Sequence, residues 1–237
     1  MIETFAALYL AHVLGDFVLQ TNGMARTKRR PLAMAAHGAL VWGAMGLCLG
    51  SVDPLLIALT GVHLAIDLTK TLSSKRGIWP FLADQTAHFA SLAALAFYAP
   101  QLWAQGYWVA YPLVPPVMAL LAGAIMATRA GGFAVGFLME PFAAATRHGL
   151  PGGGQVIGNL ERGLIFLLMI SGQAQGIGFL IAAKSVLRFG AVGDDRAVSE
   201  YVIIGTLASV GWAIAAALAT LMMLKSLTPL GIPQLTP

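Results

Sequence analysis

Charge is what this chain has least of. Among its 237 residues 10% are Asp, Glu, Lys or Arg and 58% are hydrophobic, and the mean hydropathy is +0.78. A water-soluble domain carries roughly a quarter of its residues as charged, so this chain has too few to cover its own surface in water. Cysteine is nearly missing too. Cys48 stands alone, which excludes an intrachain disulfide. The short alternating segments of a membrane β-barrel are absent; the apolar runs here are about twice the ten or so residues of a barrel strand. No basic segment precedes the first run, and Glu3, His12 and Asp16 lie in it, so it reads as a retained helix rather than a cleavable signal peptide. Gly152 to Gly154 lacks the lysine and serine of a phosphate-binding loop. No internal repeat is visible.

What is there is a series of apolar stretches, each near the roughly 20 residues that cross a bilayer. They predict an all-α fold, a polytopic transmembrane helical bundle of about six to seven spans. The first four run from Ile2 to Thr21, Pro31 to Leu49, Leu55 to Leu72 and Pro80 to Tyr98. Basic residues concentrate between them, at Arg26, Lys28, Arg29 and Arg30 and at Lys75 and Arg76. That is the distribution of cytoplasmic loops in a multi-pass membrane protein. It also removes the need for nucleic acid as a partner for the net charge of +4. Residues Pro100 to Pro116 hold Trp103, Tyr107, Trp108 and Tyr111 and read as an interfacial connection on the opposite face. Two parts follow: residues 1–112, a four-helix bundle, and 113–237, a further set of transmembrane helices.

In the second part an apolar run from Val117 to Ala145 meets Arg129 and Gly131-Gly132, which suggests a broken helix or a re-entrant segment. His148 reads as a solvated loop residue. One long helix is expected from Ile157 to Phe189, and a last span from Glu200 to Leu224. With a single crossing before it, that long helix would carry Lys184 and Arg196 to the non-cytoplasmic side, in conflict with the charge rule.

The first four stretches contain His12 and Asp16, His37, His63 and Asp67, and Asp84 and His88. Ionisable residues at membrane depth are costly and usually face the bundle interior. Counted at the helical rise from the cytoplasmic ends, all seven lie about 6–14 Å deep. His12 and Asp16, His63 and Asp67, and Asp84 and His88 are each four residues apart, so each pair shares a helix face. Imidazole and carboxylate projected inward from several helices is a device of helical metal sites. The mixture suits zinc first, then manganese or iron. His37 stands alone on its helix. A proton or ion relay, haem ligation or a purely structural hydrogen-bonded network would use some of the same residues.

The run from His12 through Gly15-Asp16 to Gln20, then His37, then His63 to Asp67 with Lys70, then Asp84 to His88 resembles a bacterial membrane-protein family designated domain of unknown function 3307. Segments around Gly158 to Arg162, Ala183 to Arg188 and Glu200 to Thr206 look like the companion half of its longer members. Inward His and Asp on short membrane helices are also similar to membrane-bound metal-dependent hydrolases.

The resulting expectation is an integral-membrane hydrolase that uses a divalent metal ion on a lipid or amphiphilic phosphoester or ester near the cytoplasmic leaflet. His12, His37, His63, Asp67 and His88 are the expected metal ligands. Asp16, Asp67 or Asp84 would act as general base, and Lys70 would stabilise developing negative charge. Lys184, Arg188, Glu161 and Arg162 are candidates for binding substrate or headgroup, against the plainer reading of local pairing and snorkelling. The expected partners are membrane lipid and a lipid-like small molecule. The alternative is a carrier for a divalent metal or protons that uses the same cluster as its transit site.

Overall fold

In the computed structural model of the chain, residues 1–73, 75–145, 152–192 and 196–231 are described, side chains at 144–145 and 187–192 excepted. His148 and the side chain of Arg188 lie outside these. Every regular element among the described residues is helical. Helix α1 (Ile2–Leu14) continues into a π-helical turn over Gly15–Leu19, and a short α2 (Asn22–Arg26) follows. Then come α3 (Pro31–Leu49), α4 (Pro54–Leu72) and α5 (Ile78–Tyr98). Pro31 and Pro54 stand in the first turns of α3 and α4, where the missing N–H has no intrahelical partner to lose. Asp53 caps α4, its Oδ1 accepting from the Leu55 N–H at 2.8 Å.

The aromatic connection folds back as short 3₁₀ turns and closes the end of α3. Trp108 Nε1 donates to the Leu47 carbonyl at 2.7 Å, and the Tyr107 N–H donates to the Gly50 carbonyl at 3.0 Å. Both carbonyls stand at the end of α3, where the regular helical partners run out.

Five helical stretches are long and apolar enough to cross a membrane: Ile2–Leu19, Pro31–Leu49, Pro54–Leu72, Val114–Ala143 and Arg196–Leu224. Helix α5 has the length, at 21 residues, but carries Asp84, Gln85 and His88 into the bundle interior. Helix α1 lies at the centre, packed on α3, α5 and α6 (Val114–Ile125). Its Ala6, Ala7 and Ala11 are fully buried, which lets neighbouring backbones come close.

Two expectations for the second part are corrected. Gly131-Gly132 do not break the chain: α6 passes through a π turn at Met126–Ala130 into α7 (Gly131–Met139) within one 30-residue span. The long helix from Ile157 is instead a hairpin, α8 (Gly153–Ile170) and α9 (Gly176–Val192), followed by α10 (Arg196–Leu224). Gly172 adopts φ +70° at the break, a left-handed conformation that suits glycine after a helix end. Lys184 Nζ meets Glu161 Oε2 at 2.6 Å, so α9 returns to the end from which α8 began. The charge conflict disappears, because Lys184 now shares an end with the basic loops. A cysteine placed at Gln173 in a Cys48→Ala background is expected to label from the face opposite to one placed at Lys75. Labelling of both from one face, with an impermeant maleimide on vesicles of known orientation, would contradict the hairpin.

Candidate metal centre

Helices α1, α3, α4 and α5 bring all seven predicted residues to one layer. His12, His37, His63, Asp67, Asp84 and His88 are buried, and the Asp16 side chain is 9% exposed. Asp16 sits in the π turn. The wider turn makes room at Gly15 against Val41 of α3 and aims the carboxylate at α3 and α4. Such π turns recur at functional sites.

The separations are close to those a ligand shell would need. Asp16 Oδ1 lies 3.4 Å from His37 Nε2 and 3.3 Å from His63 Nε2. The two imidazole Nε2 atoms are 3.1 Å apart, and Asp67 Oδ2 is 3.0 Å from that of His37 and 3.5 Å from that of His63. A tetrahedral shell with metal–donor bonds of about 2.0–2.2 Å has edges of about 3.3–3.6 Å. His88 approaches from α5, its ring centroid 4.3 Å from that of His63. One donor atom from each of Asp16, His63, Asp67 and His88 lies within 4.8 Å of the others.

Hydrogen bonding separates a ligand set from a structural network. His88 Nδ1 donates to the Asp84 carbonyl at 2.9 Å, which leaves the lone pair on Nε2. That Nε2 is buried and has no hydrogen-bond partner, as is true of Asp84 Oδ1, while Asp16 Oδ1 meets the His37 and His63 imidazoles only at 3.3–3.4 Å and without hydrogen-bond geometry. A network built for cohesion alone leaves few such atoms open. Gln20 Nε2 donates to His37 Nδ1 at 3.2 Å, which keeps the His37 proton on Nε2. The same amide turned over would accept from Nδ1 and free Nε2 as a donor to metal.

Around this core lies a second ring of contacts. Lys28 Nζ donates to Asp67 Oδ2 at 2.7 Å, and Lys70 Nζ to Asp84 Oδ2 at 2.6 Å. Gln85 Nε2 donates to Asp84 Oδ2 at 3.0 Å, and its Oε1 accepts from His12 Nε2 at 3.2 Å. His12 stacks on His88 with centroids 4.9 Å apart; its Nδ1 is open and 3.8 Å from Asp16 Oδ2. The structure thus places His12 and Asp84 beside the converging donors rather than among them, and Lys70 is engaged with Asp84. Three carboxylates face two ammonium groups, so with the imidazoles neutral one negative charge remains. Lys28 and Gln85 were not singled out in the sequence. Lys28 was read with the basic loop, and Gln85 was masked by the acidic neighbour that it bonds.

The second-half candidates gather elsewhere. Arg162 is 3% exposed and bonds the Thr128 carbonyl, Asn159 and Ser209, while Lys184 and Glu161 pair with each other. These residues and Asp16 border one cavity of about 740 Å³, which also has Phe17, Phe133 and Met139 in its wall. A second cavity, of about 1140 Å³, reaches Asp67 from the end that carries the basic loops.

No curated protein and no solved structure matches this chain. Residues 4–111, which contain all seven residues of the cluster and end with the aromatic connection, match the family described as protein of unknown function (DUF3307).

Proposed function

We propose that this protein is a metal-dependent hydrolase of the bacterial inner membrane, acting on an ester or phosphoester of a lipid or amphiphile at the end bearing the basic loops. The observation that carries the reading is the open, buried His88 Nε2 beside donor atoms of Asp16, His63 and Asp67, all four groups lying within 4.8 Å of one another. Asp16, His63, Asp67 and His88 would hold the ion, with His37 completing the set when Gln20 turns. Bound there, a divalent ion supplies Lewis acidity and lowers the pKa of a coordinated water towards about 7. Lys28 holds Asp67 in place and Asp84 fixes the His88 ring, as partners behind metal ligands do. His12 Nδ1, open and next to Asp16, is placed to accept a proton. Lys70 orients Asp84 and, through Gln85, His12.

The carrier reading has less support. Both cavities border residues at the same end of the bundle, Gln20, Asn22 and Ala25. Access shared at that end suits turnover at a membrane surface. The test is hydrolysis of short-chain phospholipids and fatty-acyl esters by purified protein. Activity is expected to fall to background with a chelator and to return with zinc or manganese. Full activity in metal-free protein would refute the reading, and metal flux in proteoliposomes without turnover would favour the carrier.

A further inference from the structure

The cavity that reaches Asp67 is walled by cations from two separate loops. Arg26, Lys28 and Arg29 come from the segment after α1, Lys70 from α4, and Lys75 and Arg76 from the turn before α5. Against these six stand Asp67 and Glu140. Lys28 and Lys70 are held by carboxylates, and Arg29 reaches the Thr71 carbonyl at 3.4 Å. Arg26, Lys75 and Arg76 are exposed side chains with no aspartate or glutamate among their described partners. A preference for basic loops accounts for the residue types but not for two loops facing one cavity whose floor is a carboxylate of the cluster. A concave site of one sign concentrates ligands of the other.

We infer that this vestibule seats a phosphate group carried by the substrate. The inference rests on the hydrolase reading and narrows its substrate class. Guanidinium groups match the paired oxygens of a phosphate, and an ammonium adds a compact charge beside them. The neighbouring cavity shares Gln20, Asn22 and Ala25 with the vestibule, so the turn into α2 borders both. Its wall adds Phe17, Val18, Phe133 and Ile157. A basic compartment beside a partly apolar one, with Asp67 bordering the first and Asp16 the second, fits an amphiphile with a phosphate at one end.

The experiment is calorimetric titration of the full-length protein in non-ionic detergent at low salt. The probes are dihexanoyl phosphatidic acid, inorganic phosphate and dihexanoyl phosphatidylcholine, and metal content is measured on the same samples. Phosphatidic acid is expected to bind. The variant Arg26→Gln/Lys75→Gln/Arg76→Gln is expected to bind it about 10–100-fold more weakly, as the loss of three nearby cations implies, with metal content unchanged. Phosphatidic acid binding more tightly than phosphate identifies a lipid-borne group, and equal binding a free anion. Unchanged affinity in the variant, equal binding of phosphatidylcholine or no binding of either phosphate probe would overturn the inference. Phosphate binding without any bound metal would instead overturn the hydrolase reading and leave the vestibule standing.

Discussion

Replacing His63 with alanine is expected to empty the metal centre. Its Nε2 lies within 3.5 Å of Asp16, His37 and Asp67, and its ring packs against those of His12, His37 and His88. No other residue of the cluster touches so many of the rest. Loss of a group behind a metal ligand costs about 10–100-fold in affinity or activity, and loss of a ligand costs more. The expected result is about one equivalent of zinc, manganese or iron in the native protein and less than about a tenth in the variant, with hydrolysis lost by more than about 100-fold. Elemental analysis of the detergent-purified proteins measures the first, and circular dichroism shows whether the variant has folded. A folded variant that keeps its metal, or a native protein that carries none, contradicts the assignment. His12→Ala is the informative comparison. It removes a ring that stacks on His88 but lies beside the converging donors, so a larger part of the metal is expected to remain.

The cluster was legible because it obeys two periodicities at once. The four-residue spacing within α1, α4 and α5 fixes a face, and the count from the basic loops fixes a depth. Together they place seven side chains in one layer before any fold is known, and the layer is there. What spacing does not carry is the role of each residue. His12 and His63 have the same local pattern, with an aspartate four residues on. The π turn after Leu14 and the placement of Gln85 engage His12 with its neighbours and leave His63 at the centre. A π turn inserts one residue into the helical repeat without a mark in composition, so a count in steps of 3.6 residues misses it. Lys28 was hidden for another reason. In a basic loop one lysine looks like any other, and its contact with Asp67 depends on how α2 folds back.

The second half was harder to read for reasons that are also physical. Between Ser171 and Gly176 lie two glutamines, a glycine and an alanine, enough to end a helix but short enough to pass within a long apolar run. The glycines at 131 and 132 mislead in the opposite sense. In a sequence they signal a break, yet here they are small because another side chain lies against them. A Cβ at Gly131 would come 2.6 Å from the Trp212 ring and 2.9 Å from Arg162 Cδ, one at Gly132 3.3 Å from Arg162 Nη2, and one at Gly158 3.0 Å from Arg162 Nη1. Glycine at these positions makes a slot for an arginine.

Arg162 in that slot is expected to stabilise the fold more than any other cation of the second half. The π turn at Met126–Ala130 widens the helical ladder, its Met126 and Thr128 carbonyls sharing the Gly131 N–H, and side chains from other helices add to them. Trp212 Nε1 donates to the Met126 carbonyl at 2.8 Å, while Arg162 donates to the Thr128 carbonyl from Nε at 3.3 Å and from Nη2 at 3.1 Å. The same guanidinium donates to Asn159 Oδ1 at 2.7 Å and to Ser209 Oγ at 3.1 Å, tying α8 to the π turn and to α10. Arg162→Met keeps much of the volume and removes every donor. An unsatisfied buried polar group costs about 1–3 kcal/mol, so a destabilisation of about 2 kcal/mol is expected: the buried Ser209 hydroxyl and the Asn159 amide oxygen lose this partner, and the Thr128 carbonyl keeps only the Gly131 N–H. Arg162→Lys cannot restore the fork, because a single ammonium cannot span Thr128, Asn159 and Ser209. Arg129→Gln is the control. Arg129 is exposed on the same π turn, and its replacement is expected to change stability by less than about 0.5 kcal/mol. Unfolding in mixed micelles, followed by tryptophan fluorescence, compares the three variants. If Arg162→Met unfolds with Arg129→Gln while substrate affinity drops, Arg162 belongs to the binding site. If it unfolds well before Arg129→Gln, the guanidinium braces the wall of the cavity that Asp16 shares.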